Sequence, residues 1–131
     1  MVILDTTSKS LEVVLGGAIT TNQAVWVTAY VEVMVATFAL SAMASADGAT
    51  NGATAVTMVA APASGKARQL KSLFFHNADT ANVTVTIRLN NGGTFRTLFK
   101  AVLATLETLR FSESGWQVFT ADGELKVANT I

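Results

Sequence analysis

Residues 82–94 read Asn-Val-Thr-Val-Thr-Ile-Arg-Leu-Asn-Asn-Gly-Gly-Thr, and this stretch decides the fold class. Its apolar side chains stand at every second position, with threonine and arginine between them. That alternation is typical of a half-buried β-strand, because successive side chains of a strand point to opposite faces. The Asn-Asn-Gly-Gly sequence that follows is typical of a turn, so we expect a return strand after it.

The same two-residue period recurs along the chain and predicts further strands. We expect them over residues 10–15, 24–35, 53–60, 66–76, 94–102, 109–111, 116–120 and 124–127. In the return strand 94–102, the alternation places Phe95, Thr97 and Phe99 on one face and Arg96, Leu98 and Lys100 on the other. Many short strands within one domain indicate an antiparallel sandwich or jelly roll.

Other segments are less regular. Residues 66–76 also fit a helical stripe, although the strand is favoured, and residues 104–108 fit either one helical turn or a wide loop. Residues 41–52 are rich in Ala, Ser, Gly, Asp and Asn, which predicts an exposed loop. Their small side chains also suit a place where another chain packs closely.

The sequence therefore predicts one all-β domain, an antiparallel β-sandwich or jelly roll with little helix, over residues 10–131. Residues 1–9 precede it as an extended N-terminal arm or a first short strand. An extended apolar arm can add a strand to an exposed sheet edge of another molecule.

The composition is unusually apolar. Of the 131 residues, 50% are hydrophobic and only 14% are charged, against about 25% charged in an ordinary globular domain. Either other chains cover this surface, or the chain enters a membrane. Residues 24–46 carry a single charge, Glu32, and are long enough to span a bilayer. Valines at two-residue spacing and the lack of flanking Lys or Arg favour a strand, so we expect no membrane partner.

Charge and cysteine content exclude two classes of function. Nine basic and nine acidic residues give no net charge, so the positive field that nucleic-acid binding requires is missing. We expect no nucleic-acid partner. The chain contains no cysteine, which excludes disulfides and thiolate metal sites.

Candidate catalytic residues are few. His76 is the only histidine, and Asp79 lies near it in sequence, but a histidine at a strand end that binds backbone or solvent explains it more simply. The densest acidic group comprises Glu107, Glu113, Asp122 and Glu124. A carbohydrate-active enzyme would need two of these carboxylates in one cleft, whereas solvated turns explain each of them.

Metal and sugar binding have equally weak support. Asp47, Asn51 and Asp79 are too dispersed for a calcium loop. Trp26 and Trp116 could stack on sugars, but large aromatics in strands are more often anchors of a core or an interface. We expect no catalytic residue, no cofactor and no metal site.

Several segments carry a resemblance to a known group of proteins. They are the opening Leu-Asp-Thr-Thr-Ser-Lys-Ser-Leu-Glu-Val-Val-Leu of residues 4–15, the Thr-Thr-Asn-Gln of 20–23, and the closing motifs 109–111, 115–118 and 122–126. With them the chain resembles small structural proteins of tailed bacteriophages. One departure is Ala-Thr-Leu at 104–106, where such domains often place a glycine turn.

The resemblance implies a virion protein that acts by binding. The first expectation is a capsid decoration (cement) protein, made in the host cytoplasm, that binds between subunits of the major capsid protein. The alternative is a tail or head-fibre component that binds other virion proteins and a host receptor or glycan. A homo-oligomer is expected, with a trimer favoured. The candidate interaction residues are Val2, Ile3 and Leu4 of the arm, together with Trp26 and Trp116.

Overall fold

The computed structural model describes residues 1–126 and contains ten strands over that range. They are β1 (Val2–Leu4), β2 (Lys9–Leu15), β3 (Val25–Met34), β4 (Leu40–Ala49), β5 (Val56–Val59), β6 (Lys66–His76), β7 (Val83–Asn91), β8 (Thr94–Leu103), β9 (Thr108–Ser112) and β10 (Gly115–Phe119). Within those residues no helix is long and apolar enough to cross a membrane.

The strands form two antiparallel sheets that pack face to face. Sheet A has the order β10-β9-β6-β3-β4. The short strand β1 pairs with residues 68–70 of β6, and β9 pairs with residues 73–76 of the same strand. Sheet B has the order β5-β2-β7-β8. The predicted all-β sandwich is thereby confirmed.

The alternation that predicted the fold also builds its core. Val83, Val85 and Ile87 of β7 point inward and are buried, while the threonines between them face out. Sheet A contributes Leu73 and Phe75 of β6, both fully buried. Each large apolar side chain removed from water in this way stabilises the fold by about 1.5–3 kcal/mol.

The turn between β7 and β8 follows the prediction. Gly92 and Gly93 have φ values of 59° and 95°, a left-handed region in which glycine carries no steric penalty. The N–H of Gly93 also donates to Asn90 Oδ1 at 2.8 Å. The pair of glycines therefore sets the register of this hairpin.

The prediction of a loop over residues 41–52 is wrong for most of its length. Residues 41–49 belong to β4, which pairs along the whole of β3 from Val25↔Ala49 to Val33↔Leu40. Small and polar residues have low strand propensity, but pairing with an adjacent strand overrides that preference. Gly48 shows why one small residue is needed, since a Cβ there would lie 2.8 Å from Cζ2 of Trp26.

The predicted faces of β8 are also wrong. The β7–β8 ladder contains a bulge between Ile87 and Arg88, and an extra residue on one strand reverses the alternation beyond it. Phe99 pairs with Ile87 and points inward, whereas Phe95 pairs with Asn90 and lies under the Arg88 guanidinium at 3.8 Å. The two phenylalanines thus lie on opposite faces.

The remaining elements differ from expectation in smaller ways. Residues 66–76 form a strand and not a helix. Residues 104–107 form a loop in which Leu106 has a φ of 63°. The strand expected over 124–127 is reduced to one bridge, Phe119↔Leu125, and its last residue lies outside the described range, as do the other residues from 127 to 131 of the predicted domain.

Residues 2–4 form the first short strand of the domain. Val2 pairs with Leu70 and Leu4 with Arg68 of the same chain. Leu4 is 2% exposed and belongs to the hydrophobic core. Removing residues 1–9 would therefore remove part of the core as well as any docking segment.

Replacing Gly48 by alanine tests the contact between β4 and Trp26. We expect Gly48→Ala to lower the free energy of unfolding by about 1–3 kcal/mol, the usual cost of overpacking a closely packed site. Chemical denaturation followed by tryptophan fluorescence measures it. The control is Gly17→Ala, where an added Cβ meets nothing within 4 Å. Equal stability of the two variants would contradict the close contact.

Candidate interaction surface

The two outer faces of the sandwich differ in polarity. The outer face of sheet B carries a hydrogen-bonded polar network centred on Glu12. The Arg88 Nε donates to Glu12 Oε1 at 3.0 Å, and the Asn90 Nδ2 donates to Glu12 Oε2 at 2.8 Å. Thr86 and Lys100 pair beside them on the same face. Phe95 and Val102 are also exposed on this face, but they stand near opposite ends of β8. No apolar row therefore runs along it, as is usual for a solvated sheet surface.

The outer face of sheet A has an apolar row along β3, with Asp47 and Arg110 on the flanking strands beside it. Because Trp26 and Thr28 of β3 point into the core, the odd-numbered residues of that strand point outward. We call the resulting surface the valine face and define it by Ile3, Val25, Val27, Val31, Val33 and Phe74. Val25, Val27 and Phe74 are each close to half exposed.

The apolar surface continues onto the β3–β4 hairpin. Met43 of β4 lies opposite Val31, and Val35 continues the row beyond β3. Met43 is 75% exposed, and Val35 is close to half exposed. Apolar side chains that are exposed next to one another on several strands mark an interaction site, whereas single scattered ones are ordinary.

Phe38 stands at the tip of the hairpin and is 82% exposed. Its φ is 55°, an unfavourable conformation for a bulky side chain. The N–H of Phe38 donates to the carbonyl of Met34 at 2.7 Å and closes the turn. Phe38, Ile3 and Val33 line a depression of about 310 Å³ at this end of the face.

A buried ion cluster supports the hairpin from the inner side. Glu32 is buried on β3 and binds Arg68 Nε at 2.9 Å and Lys66 Nζ at 3.4 Å. The hydrogen bond from Arg68 is the main cause that lowers the pKa of Glu32 below its usual range, with Lys66 adding to it. Glu32, the only charge that the sequence places within residues 24–46, is therefore neutralised on the inner side, and β3 presents no charge on the valine face.

The structure separates the five predicted interaction residues. Ile3 lies on the valine face and is half exposed, whereas Val2 is partly buried and Leu4 is in the core. Trp26 is buried against Gly48. Trp116 stacks on Phe99 of sheet B with ring centroids 5.0 Å apart. Trp26 is a core residue, and Trp116 is partly buried against the core.

Sequence reasoning missed Val25, Val27, Phe74 and Phe38 as surface residues. A signal was present, since the odd-numbered positions of β3 are apolar throughout, while the even-numbered positions hold the large aromatics Trp26 and Tyr30 besides Thr28 and Glu32. One row must face the core and the other must face outward. The larger Trp26 identifies the inner row.

The candidate catalytic residues do not assemble. The His76 Nδ1 lies 3.0 Å from Thr108 Oγ1. The Asp79 carboxylate accepts hydrogen bonds from backbone N–H groups of residues 20–22 and not from His76. Glu107 is buried and accepts from the Ala104 N–H at 2.8 Å and from Lys126 Nζ at 3.1 Å, while Glu113 is exposed. Over residues 1–126 no three His, Asp or Glu side chains are grouped so that they could hold a metal ion.

Asp79 ties two loops together. Its carboxylate accepts from the N–H groups of Thr20 at 2.8 Å, Thr21 at 2.7 Å and Asn22 at 3.2 Å, and from the Thr80 N–H at 2.8 Å. These donors, the Thr20 N–H foremost, lower the pKa of Asp79 far below its usual range. Asp79 thus acts as a structural carboxylate that fixes the loop leading into β3.

Comparisons with models of protein families, with curated protein sequences and with solved structures find no match to this chain.

Substituting Asp79 tests its structural role. A carboxyl whose pKa is lowered by folding stabilises the protein above its unfolded-state pKa near 4, and the stabilisation is lost as pH falls below that value. We expect Asp79→Asn to lower the melting temperature by several degrees at pH 7. The difference from the unmodified chain should narrow as the pH falls below about 4. A scanning-calorimetry series from pH 7 to pH 2 measures it.

The control is Asp122→Asn, because Asp122 is exposed. A pH-independent difference for Asp79→Asn would show that the ionised carboxylate is not what stabilises the loops.

Proposed function

We propose that the protein is a structural component of a tailed-phage virion that acts by binding, first as a capsid decoration protein docked on the head through its valine face. The supporting observation is the polarity difference between the two outer faces of the sandwich. An apolar sheet face is costly in water, at roughly 25 cal/mol for each Å² of apolar surface. Coverage by another protein removes that cost.

The shape of the valine face favours a large and regular partner. It lies on three adjacent strands, β1, β6 and β3, whose backbones are held by antiparallel ladders with one register shift, between Ala29 and Tyr30. A rigid face loses little conformational entropy on docking. The shell formed by the major capsid protein is such a partner, and the resemblance to phage structural proteins favours it over an unrelated protein.

A second candidate is a tail or fibre component that binds a host receptor or glycan. The observation that favours it is Phe38, an exposed aromatic on a hairpin tip, since aromatics are enriched among residues that dominate binding energy. Electron microscopy of particles carrying a labelled copy distinguishes the two candidates. Label on the head supports decoration, and label on the tail supports the second candidate.

Placing a charge on the valine face tests the docking surface. We expect Val27→Glu to reduce loading onto purified particles depleted of the protein by about tenfold or more, the effect of roughly 1.4 kcal/mol of lost binding free energy. Loading is measured by co-sedimentation over a range of protein concentrations. Val27 is about half exposed, but it lies opposite Asp47 on β4, where a second carboxylate weakens the strand pair. Circular dichroism therefore checks the fold, and Val27→Lys, which places the opposite charge beside Asp47, should reduce loading as well.

The matched control is Val102→Glu. Val102 is exposed on β8 and pairs with Thr84 on the outer face of sheet B. The same substitution on the polar face should leave loading unchanged. If Val27→Glu loads as well as the unmodified chain, the valine face is not the docking surface.

A further inference from the structure

The free edge of β4 presents an ordered row of backbone donors and acceptors. The Thr50 N–H donates to the Ala24 carbonyl at 2.9 Å, and the register pairs Val25 with Ala49. In an antiparallel ladder, hydrogen-bonded pairs alternate with non-bonded pairs, so the even-numbered residues of β4 bond to β3. The odd-numbered residues Met43, Ser45, Asp47 and Ala49 therefore direct their N–H and carbonyl groups away from β3.

The opposite end of the strand is irregular. The β3–β4 register shifts between Glu32 and Val33, where Ser41 is the extra residue. The Ser41 hydroxyl donates to Glu32 Oε1 at 3.3 Å on the inner side. The regular row therefore runs from Met43 to Ala49.

The other long edges of the two sheets are protected. On sheet B, β5 has four residues and β8 carries Arg96 and Lys100. At the far edge of sheet A, β10 has only five residues, and its end is covered by its own chain, since the Lys126 N–H donates to the Val118 carbonyl at 2.7 Å. By contrast, β4 has ten residues with no Lys, Arg or Pro, and no strand among residues 1–126 pairs with its outer edge. Natural sheets block such edges unless they are used.

We propose that β4 pairs antiparallel with β4 of a second copy of this chain, about a two-fold axis beside Ala46. In this register Ser45 faces Asp47 of the partner, where its hydroxyl can donate to the carboxylate. Met43 faces the partner's Ala49. All four outward-directed residues then form hydrogen-bonded pairs with their counterparts.

The neighbouring registers are less favourable. A shift of two residues in one direction places Met43 opposite the partner's Asp47, and a shift in the other direction places the two Asp47 carboxylates opposite each other. Like charges directly opposite destabilise a strand pair. On the inner side, Ala44, Ala46 and Gly48 are small enough for the two edges to approach without steric conflict.

The self-complementary register favours a second copy of this chain as the partner. An edge that is complementary to itself closes into a dimer, whereas a trimer would need β4 to meet a different edge of its neighbour. The protected edges do not offer one. The pairing thus replaces the trimer expected from sequence. It joins two copies of sheet A into one sheet with both valine faces on the same side, and it does not depend on what those faces bind.

Light scattering coupled to gel filtration tests the proposal on the full chain. The unmodified protein is expected to elute as a dimer at micromolar concentration. Ser45→Asp places two carboxylates opposite the partner's Asp47 residues and should weaken the dimer about tenfold or more. Adding Asp47→Lys to Ser45→Asp converts both repulsions to attractions and should restore it. Ser114→Asp, on the exposed β9–β10 turn, is the control and should leave the dimer unchanged.

Cysteine cross-linking provides a measurement independent of that series. The chain has no cysteine, and Ala46 faces its own copy at a Cα separation of about 4.5 Å for a non-hydrogen-bonded pair, within the range of a disulfide. Mild oxidation of Ala46→Cys should give a covalent dimer, and oxidation of Ser114→Cys should not. A monomeric or trimeric unmodified protein, Ser45→Asp association equal to the unmodified chain, or absence of the Ala46→Cys cross-link would each overturn the proposal.

Discussion

The antiparallel ladder between β3 and β6 is the interaction on which the rest of the structure depends. It joins ten residues of β3 to β6. On their outer sides β6 carries β1 and β9, and β3 carries β4. The inward side chains of the two strands form much of the sheet A core, and their outward side chains form the valine face. One ladder therefore holds the sheet, contributes Trp26, Leu70, Leu73 and Phe75 to the core, and presents most of the candidate binding surface.

Much of the fold follows from periodicity in the sequence. The alternation in β7 predicts both the strand and its buried face, because one row of its side chains is apolar and the other row is polar. Prediction failed where that contrast is lost. In β4 the small residues show neither period nor propensity, and only the neighbouring β3 makes the segment a strand. In β8 the alternation is visible, but a bulge reverses its sense between Phe95 and Phe99.

The candidate site was harder to predict for the same reason. In β3 the odd-numbered row is apolar throughout, and the even-numbered row contains Trp26 and Tyr30. Hydrophobicity alone therefore does not show which row faces the core. The tryptophans attracted attention as large aromatics, yet their size is what places them inside. The smaller valines that alternate with the even-numbered residues of β3 form the outer surface. Residue volume, more than hydrophobicity, distinguishes the two rows.

The packing of Trp26 over Gly48 has a practical consequence. The indole lies in the core while its ring touches the backbone of the outermost strand of sheet A, and no acceptor among the described residues reaches its Nε1. An indole in such dry surroundings emits at shorter wavelength than one in contact with solvent. The chain thus carries a native optical probe beside β4, and lifting of that strand would register as a red shift without any added dye.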